Sequence, residues 1–372
     1  MLKDKKLINL CIVLFINIII QLHCSVYVQA FEDNESDKFS PVKAEVIEIT
    51  SSEEPQEVNL SILEGKFSGK NIILKNEIIL SCEEPLVLKK GDKVLVCLKE
   101  NESGELAGGY IVEFVREKYL LYLSIAFVFF LIIIGGFKGI KSIITLLITG
   151  AAIIKILLPG ILKGQNPTTL SIGIAIGITI ITLVILNGFS KKSFVAIIGT
   201  AGGVIVAGFI SSLVIRIANI SGLSEESNFM LGKISQSTHL DFKGLLFSAI
   251  ILGALGAVMD VSMSIASALH EIKENNPQVT SKEIIQCGMN IGKDIMGTMA
   301  NTLILAYAGS SLNLLLLYMT YDVSFVQFIN KQEISTEILR ALAGSIGLIF
   351  TIPITIMAAV LLKKDKHKRC NN

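Results

Sequence analysis

Tryptophan is absent from this sequence, and cysteine, proline and charged residues are scarce. Six scattered cysteines are too few for a disulfide-stapled scaffold. Only 17% of the residues are charged, against about a quarter in soluble domains. The sequence has no phosphate-binding loop, dinucleotide-binding glycine pattern, nucleophile elbow or zinc-ligand spacing. We therefore expect no enzyme and no cofactor, and the lack of a basic, aromatic-rich segment argues against nucleic acid binding.

Apolar residues make up 51% of the chain and occur in long blocks from residue 119 onward. A helix that crosses a hydrocarbon core of about 30 Å needs about 20 such residues. Blocks of this kind predict about seven spans, at residues 119–137, 142–162, 168–190, 193–215, 244–269, 295–321 and 341–362. Because only helices satisfy their own backbone groups within lipid, we expect an α-helical polytopic membrane protein.

The first forty residues have the features of a targeting segment followed by a spacer. Residues 1–30 combine a basic start, an apolar run and small residues at Val28–Ala30, which predicts a signal peptide. If it is not cleaved, the same stretch is an N-terminal membrane anchor. Residues 31–40 are acidic and polar, as in a spacer.

Residues 41–118 contain about five short runs rich in β-branched residues, punctuated by Gly, Asn, Ser and Pro. This pattern predicts a small all-β domain of the OB or SH3 type. Cys82 and Cys97 fall within it, and two interpretations remain open for them. They either form a disulfide outside the cell or are small, buried, unpaired residues.

Lysine and arginine are concentrated on one side of the predicted spans. Under the positive-inside rule that side is cytoplasmic, which places the β domain outside and residues 363–372, a basic tail, inside the cell. The lysines on the inner side, besides those of the tail, are Lys138, Lys141, Lys191, Lys192, Lys273, Lys282 and Lys293. We therefore expect a multi-pass protein of the plasma membrane, whose tail meets anionic lipid.

Polar and small residues follow one face of the predicted fifth span. At 100° per residue, one face of this helix holds Gly253, Gly256, Asp260, Ser264 and Ser267. A comparable face on the sixth span holds Asn290, Asp294, Gly297 and Asn301, with Thr298 at its margin. The pattern Thr280-x-x-Glu283 predicts that this helix begins with a capping box, near Ser281.

An acidic side chain at the centre of a span costs roughly 2.5–3.5 kcal/mol on insertion scales, so its presence needs a reason. One hypothesis is an ion or proton site in which Asp260 is the carboxylate. Ser264, Thr298 and Asn301 are then neutral oxygen ligands, and Asp294 is an entry carboxylate. The alternative is structural: a neutral Asp260 donates a hydrogen bond to Asn301 and joins the two helices.

The segments that carry these faces resemble a known family. DFKGLLFSAIILGALGAVMDVSMSIASALHEI (241–272) and GMNIGKDIMGTMANTLILAYAGSSL (288–312) are similar to the YibE/F-like family of bacterial multispanning membrane proteins. The resemblance extends over residues 120–362 and includes the β segment. It implies a permease-like membrane protein without an established substrate, and it makes Asp260, Asp294 and Asn301 motif residues without assigning their roles.

Two functions remain open from these observations. The first is a transporter or permease of unknown substrate, with coupling to a proton or monovalent cation. The second is a non-transporting scaffold or sensor whose β domain binds an envelope protein. The partners expected besides the lipid bilayer are therefore a cation, a second copy of the chain in a homo-oligomer, or an envelope protein.

Overall fold

The structure is a computed structural model, and it describes residues 40–51, 55–76, 86–101, 104–222, 240–320 and 324–368. The predicted signal segment, nearly all of the spacer, and Cys82 lie outside these ranges. The chain divides into two compact units, one up to Ile140 and one from Lys141 onward.

The first unit contains a five-stranded antiparallel sheet, which confirms the predicted β domain. Its strands are β1 (Ser40–Ser51), β2 (Gln56–Ile62), β3 (Asn71–Asn76), β4 (Lys93–Glu100) and β5 (Leu106–Phe114). They lie in the order β3-β2-β1-β4-β5. The two outer strands, β3 and β5, approach each other, so that the sheet curls into a small barrel-like domain of the OB kind.

Alternating apolar residues build the interior of this domain. On β2, Val58, Leu60 and Ile62 are at most 1% exposed, and the residues between them face outward. Strand β1 pairs with β4 over residues 40–45 and with β2 over residues 44–51, and the pairing with β2 is irregular at two places. The twofold alternation that predicted the strands is therefore the pattern that separates core from surface.

Lys43 on β1 connects the barrel to the first helix of the same unit. Its Nζ lies 2.6 Å from Oε1 of Glu117 and 3.2 Å from Oε1 of Glu64. The hydrogen bond to Glu117 raises the pKa of Lys43 above its ordinary value, although partial burial acts in the opposite direction. Glu117 is the first residue of that helix, and only Val115 and Arg116 separate it from the end of β5.

The first helix, α1 (Glu117–Ala152), is interrupted at Gly136, which has φ 53° and ψ −130°. A Cβ at Gly139 would overlap the carbonyl oxygen of Leu131. In a continuous helix these two residues are about 12 Å apart, so the backbone turns back sharply at this point. Gly136 lies one residue before the end of the first predicted span, 119–137.

The remaining helices belong to the second unit. They are α2 (Leu158–Leu162), α3 (Pro167–Asn187), α4 (Lys191–Ile217), α5 (Phe242–Asn275), α6 (Ser281–Ser310), α7 (Leu312–Thr320), α8 (Phe325–Asn330) and α9 (Gln332–Lys368). A π-helical turn, Ile153–Leu157, joins α1 to α2. Pro159 has no N–H for the carbonyl of residue 155, which accounts for the wider turn.

Among the described residues, five helices are long and apolar enough to cross a membrane, or six with α6 and α7 taken as one bent span. The longest candidate, Glu117–Leu162, contains the break at Gly136 and both of the first two predicted spans. The sixth predicted span differs from expectation: it is not one straight helix, because α6 and α7 meet at an angle of 58°.

Glycines allow α4 to pack closely at the centre of the second unit. A Cβ at Gly199 or Gly203 would overlap the hydroxyl of Thr355 or Thr351 on α9. Gly199-x-x-x-Gly203 is therefore a pair of small residues that allows two helices to pack closely. The similar pair on α3, Gly173 and Gly177, has nothing within 4 Å of a notional Cβ, so it makes no such contact in the described chain.

Candidate functional site

The fifth predicted span, now α5, has an apolar face that is buried and a polar face that is open. The residues of this helix that are at most 1% exposed include Ile250, Ile251, Ala254, Val258, Val261, Ile265 and Leu269. On the opposite side, Gly253, Gly256, Asp260 and Ser264 are exposed and Ser267 is half-buried. Asp260 lies about 27 Å from the start of α5 and about 22 Å from its end, near mid-span, at 1.5 Å per residue.

Helix α6 has the same two-sided organisation. It begins with the predicted capping box: Thr280 N donates to Glu283 Oε2 at 2.6 Å, and Glu283 N donates to Thr280 Oγ1 at 3.2 Å. Ile284, Gly288, Gly292 and Leu303 are buried against the bundle. The predicted polar residues Asn290, Asp294, Gly297, Thr298 and Asn301 are all exposed.

Contacts between the buried faces show how α5 and α6 are aligned. A Cβ at Gly288 would lie 3.3 Å from Leu269, which places these residues at one level. A Cβ at Gly344 of α9 would lie 3.0 Å from Leu303 and 3.3 Å from Ala254. Residues that precede Leu269 in α5 are thus level with residues that follow Gly288 in α6. The helices are antiparallel neighbours in regular alignment.

This alignment brings the two polar stripes to matching levels. Asp260 is level with Gly297, and Gly256 is level with Asn301, about one turn away. Ser264 is level with Asp294. We call the exposed surface formed by Gly256, Asp260, Ser264, Ser267, Asn290, Asp294, Gly297, Thr298 and Asn301 the polar face. A Cβ at either Gly256 or Gly297 would have nothing within 4 Å, so the centre of this face is open.

The predicted residues are therefore exposed at matching levels of two neighbouring helices but are not bonded to one another. Within the described ranges, no hydrogen bond or ion pair joins Asp260 to Asn301, and both residues are exposed. The Thr298 hydroxyl donates to the carbonyl of Ile295 at 2.9 Å, which leaves its oxygen free to accept. The hydrogen-bonded helix staple considered as the structural alternative is absent from this conformation.

A cluster of charged side chains at one end of the polar face was not predicted from the sequence. A Cβ at Gly253 would overlap the hydroxyl of Tyr307, and the Arg340 guanidinium lies 5.8 Å from the Tyr307 ring centre. Arg340 Nη1 lies 2.7 Å from Glu337 Oε1. Buried Glu337 Oε2 and Arg340 Nε have no partner among the described residues. In the sequence, the small residue Gly253 was the one feature that indicated a close contact here. No sequence pattern indicated that α9 contributes Glu337 and Arg340.

The side chains of the polar face offer oxygen atoms and one mid-span carboxylate. In the described parts of the chain, no three His, Cys, Asp or Glu side chains lie close enough together to hold a metal ion. One carboxylate with neutral amide and hydroxyl oxygens suits a proton or a weakly held hard cation. Such a face within a span is a common mark of an ion or solute pathway.

The long apolar helices and the small β barrel define a multi-pass membrane protein with an appended all-β domain. Residues 123–365 match the family described as YibE/F-like protein, and residues 41–114 match the domain described as YibE/F family N-terminal domain. The chain belongs to the YibE/F-like family, and both segments quoted for the resemblance lie within the first match. No curated protein and no solved structure matches the chain.

Proposed function

We propose that this protein is a non-enzymatic permease in which the polar face forms a wall of the transport path. The observation that carries the proposal is the position of Asp260, near mid-span on an exposed helix face. An ionised carboxylate facing lipid costs several kcal/mol, and lipid offers it no hydrogen-bond donor. A polar pathway removes that cost, because water, a proton or a cation then occupies the space beside the carboxylate.

The roles of the residues follow from their positions. Asp260 carries the proton or binds the cation, since it is the acidic residue at mid-span on this face. Ser264, Thr298 and Asn301 supply neutral oxygen ligands within about one turn of its level. Asp294 lies about one turn nearer the α6 start and acts as an entry carboxylate. The transported substrate follows from none of these residues.

The open polar face needs a second wall, and we propose that a second copy of the chain supplies it. Gly256 and Gly297 leave room for close approach, because nothing lies within 4 Å of a notional Cβ at either position. Small residues at such positions allow membrane helices to pack closely. A homo-oligomer would therefore enclose Asp260 between two copies.

We place the protein in the plasma membrane with its barrel outside and its C-terminus in the cytoplasm. The lysines at the beginning of α4 and the end of α9 support this orientation through the positive-inside rule.

Transport is tested with the purified protein in liposomes, by following proton and monovalent-cation flux under imposed gradients. Asp260→Asn is expected to abolish coupled flux, since the amide neither binds a cation by charge nor releases a proton. Asn301→Ala is expected to reduce it. Glu274→Gln is the matched control, because this exposed carboxylate lies near the end of α5, where its Oε1 is 3.2 Å from Nε2 of His270. Flux that is unchanged in both site variants would refute the assignment.

The scaffold or sensor function has one observation in its favour, the Lys43–Glu117 ion pair of 2.6 Å between barrel and first helix. Such a link would transmit a load on the barrel to that helix. This function is supported if flux is absent under every gradient and the barrel binds a purified envelope component in a manner that Lys43→Met changes.

A further inference from the structure

Two charges of opposite sign lie near mid-span on the second unit. Lys155 is the only charged residue between residues 142 and 162, and Asp260 is the only one between residues 244 and 269. Lys155 lies in the π-helical turn Ile153–Leu157, a kind of turn that often occurs at functional sites. Both residues are exposed, and within the described part of the chain neither has an ion-pair partner. A charge at lipid depth is costly without a partner, so Lys155 needs one for the same reason as Asp260.

Contacts with α3 fix the level of Lys155. Near one end of the helix that leads to it, Lys141 Nζ donates to the carbonyl of Leu186 at 3.5 Å. Near the other end, a Cβ at Gly160 would overlap the side chain of Leu170. The two helices are therefore antiparallel. Since Lys155 precedes Gly160 by five residues, it is level with the α3 position about five residues after Leu170.

Contacts between α3 and α5 extend this alignment to α5. Near the start of α3, the Ser248 hydroxyl donates to the Pro167 carbonyl at 3.0 Å. Near its end, Asn187 Nδ2 lies 3.5 Å from Met263 Sδ. The two helices therefore run parallel, and the level of Lys155 falls between these two contacts.

The lysine and the aspartate are close in depth. Interpolation between the contacts puts the level of Lys155 about six residues, or roughly 9 Å, before that of Asp260 along α5. In a helix, each Cα–Cβ bond tilts toward the helix N-terminus. The helix of Lys155 and α5 run in opposite directions, so each of the two side chains inclines toward the level of the other. The four-carbon stem of lysine spans most of the remaining difference.

We propose that Asp260 forms an ion pair with Lys155 of a second copy of the chain. This inference rests on the proposed function, in which a second copy supplies the second wall of the path. Every copy presents both charges on exposed faces, so a symmetric dimer forms the pair twice. A notional Cβ at Gly256, one turn from Asp260, has nothing within 4 Å, which leaves room for the approaching helix.

In this arrangement the lysine is a competitor for the cation site. A proton on Asp260 removes the negative charge that holds the ammonium group, and a bound cation takes the place of that group. Loading of the site therefore weakens this contact between the copies, whereas the empty, ionised site keeps it.

The pair is tested through association of the full-length protein in phosphatidylcholine vesicles, measured as energy transfer between copies labelled on a C-terminal tag. Lys155→Met and Asp260→Asn are each expected to weaken association at least about ten-fold, as for the loss of one desolvated ion pair. The exchanged double variant, Lys155→Asp with Asp260→Lys, is expected to restore it, because the pair re-forms with reversed polarity. Lys163→Met, at an exposed position just after α2, is the matched control and leaves association unchanged.

Disulfide cross-linking shows which chain supplies the lysine. In a background without the six native cysteines, one copy carries Lys155→Cys and a differently tagged copy carries Asp260→Cys. The mixed dimer keeps one intact ion pair and places the two new cysteines at the other. Oxidation is expected to give a covalent dimer that contains both tags. Lys163→Cys in place of Lys155→Cys is the control and is expected to give none.

Three results would overturn the proposal. Association that Lys155→Met leaves unchanged would mean that other contacts hold the copies together. A cross-link that forms only within one chain carrying both cysteines would mean that the pair belongs to a single copy. Absence of association at every protein density would remove the second copy itself. None of these measurements uses flux, so coupled flux that Asp260→Asn abolishes would still support the permease.

Discussion

Two glycine-to-alanine substitutions distinguish a packed helix face from an open one. At Gly203 of α4, an added Cβ would overlap the Thr351 hydroxyl and would lie 2.8 Å from Val258 and 2.9 Å from the Gly347 carbonyl oxygen. Two of these neighbours are on α9 and one is on α5, so relief requires the helices to separate. At Gly173 of α3, the same Cβ would have nothing within 4 Å.

The magnitude follows from the difference between the two sites. Both substitutions gain about 0.5–1 kcal/mol of helix propensity, because alanine loses less backbone entropy than glycine. Overpacking costs typically 1–3 kcal/mol and applies only at Gly203. We therefore expect Gly203→Ala to be about 1–3 kcal/mol less stable than Gly173→Ala, since the propensity terms cancel. Gly173→Ala itself is expected to be neutral or slightly stabilising.

The assay is reversible unfolding of the purified protein by titration with sodium dodecyl sulfate, followed by circular dichroism at a fixed detergent composition. Gly177→Ala is a second open-site control, because a Cβ there also has nothing within 4 Å. Equal stability of the Gly203 and Gly173 variants would refute the close packing of α4 against α9 and α5. Destabilisation of both open-site variants would show that a partner surface covers α3.

Three other substitutions test the remaining parts of the structure. Thr280→Ala removes the α6 cap and is expected to cost about 0.5–2 kcal/mol, seen as faster hydrogen exchange in the first turn of α6, whereas unchanged exchange would contradict the capping box. Leu60→Ala empties a fully buried barrel position and is expected to cost about 2–5 kcal/mol, measured as faster proteolysis of the barrel; protection equal to wild type would contradict its burial. Because Glu117 raises the pKa of Lys43, the ion pair stabilises the barrel below the ordinary lysine pKa and is lost as pH rises through the raised value. Lys43→Met is therefore expected to lower stability by less than about 1 kcal/mol near pH 8, a deficit that shrinks above about pH 10 in thermal unfolding and would contradict the assignment if it persisted there.

The local sequence pattern was sufficient to predict the helices, the strands and the N-terminal cap of α6. Runs of about 20 apolar residues identify membrane-length helices from composition alone. Alternation such as that of Val58, Leu60 and Ile62 separates the two faces of a strand without knowledge of its neighbours. Thr280 and Glu283 lie three residues apart, so their reciprocal hydrogen bonds depend only on the first turn of the helix.

The break between α6 and α7 could not be predicted from the local sequence pattern. Residues 295–321 are apolar enough to be interpreted as one straight span, and hydropathy contains no term for direction. The angle of 58° arises at Ser311, where the α6 helix ends. A bent pair of helices and one straight span therefore have the same composition, and only the path of the backbone distinguishes them.

For the candidate site, the sequence by itself determined which residues share a helix face, because 100° per residue fixes the side on which Asp260 and Asn301 lie. Only the tertiary structure decided that both faces are open and that their levels match, since both depend on contacts such as Gly288 with Leu269. It also decided that the Arg340 guanidinium lies beside the Tyr307 ring. Residues far apart in the chain meet through packing, and no periodicity within one helix contains that information.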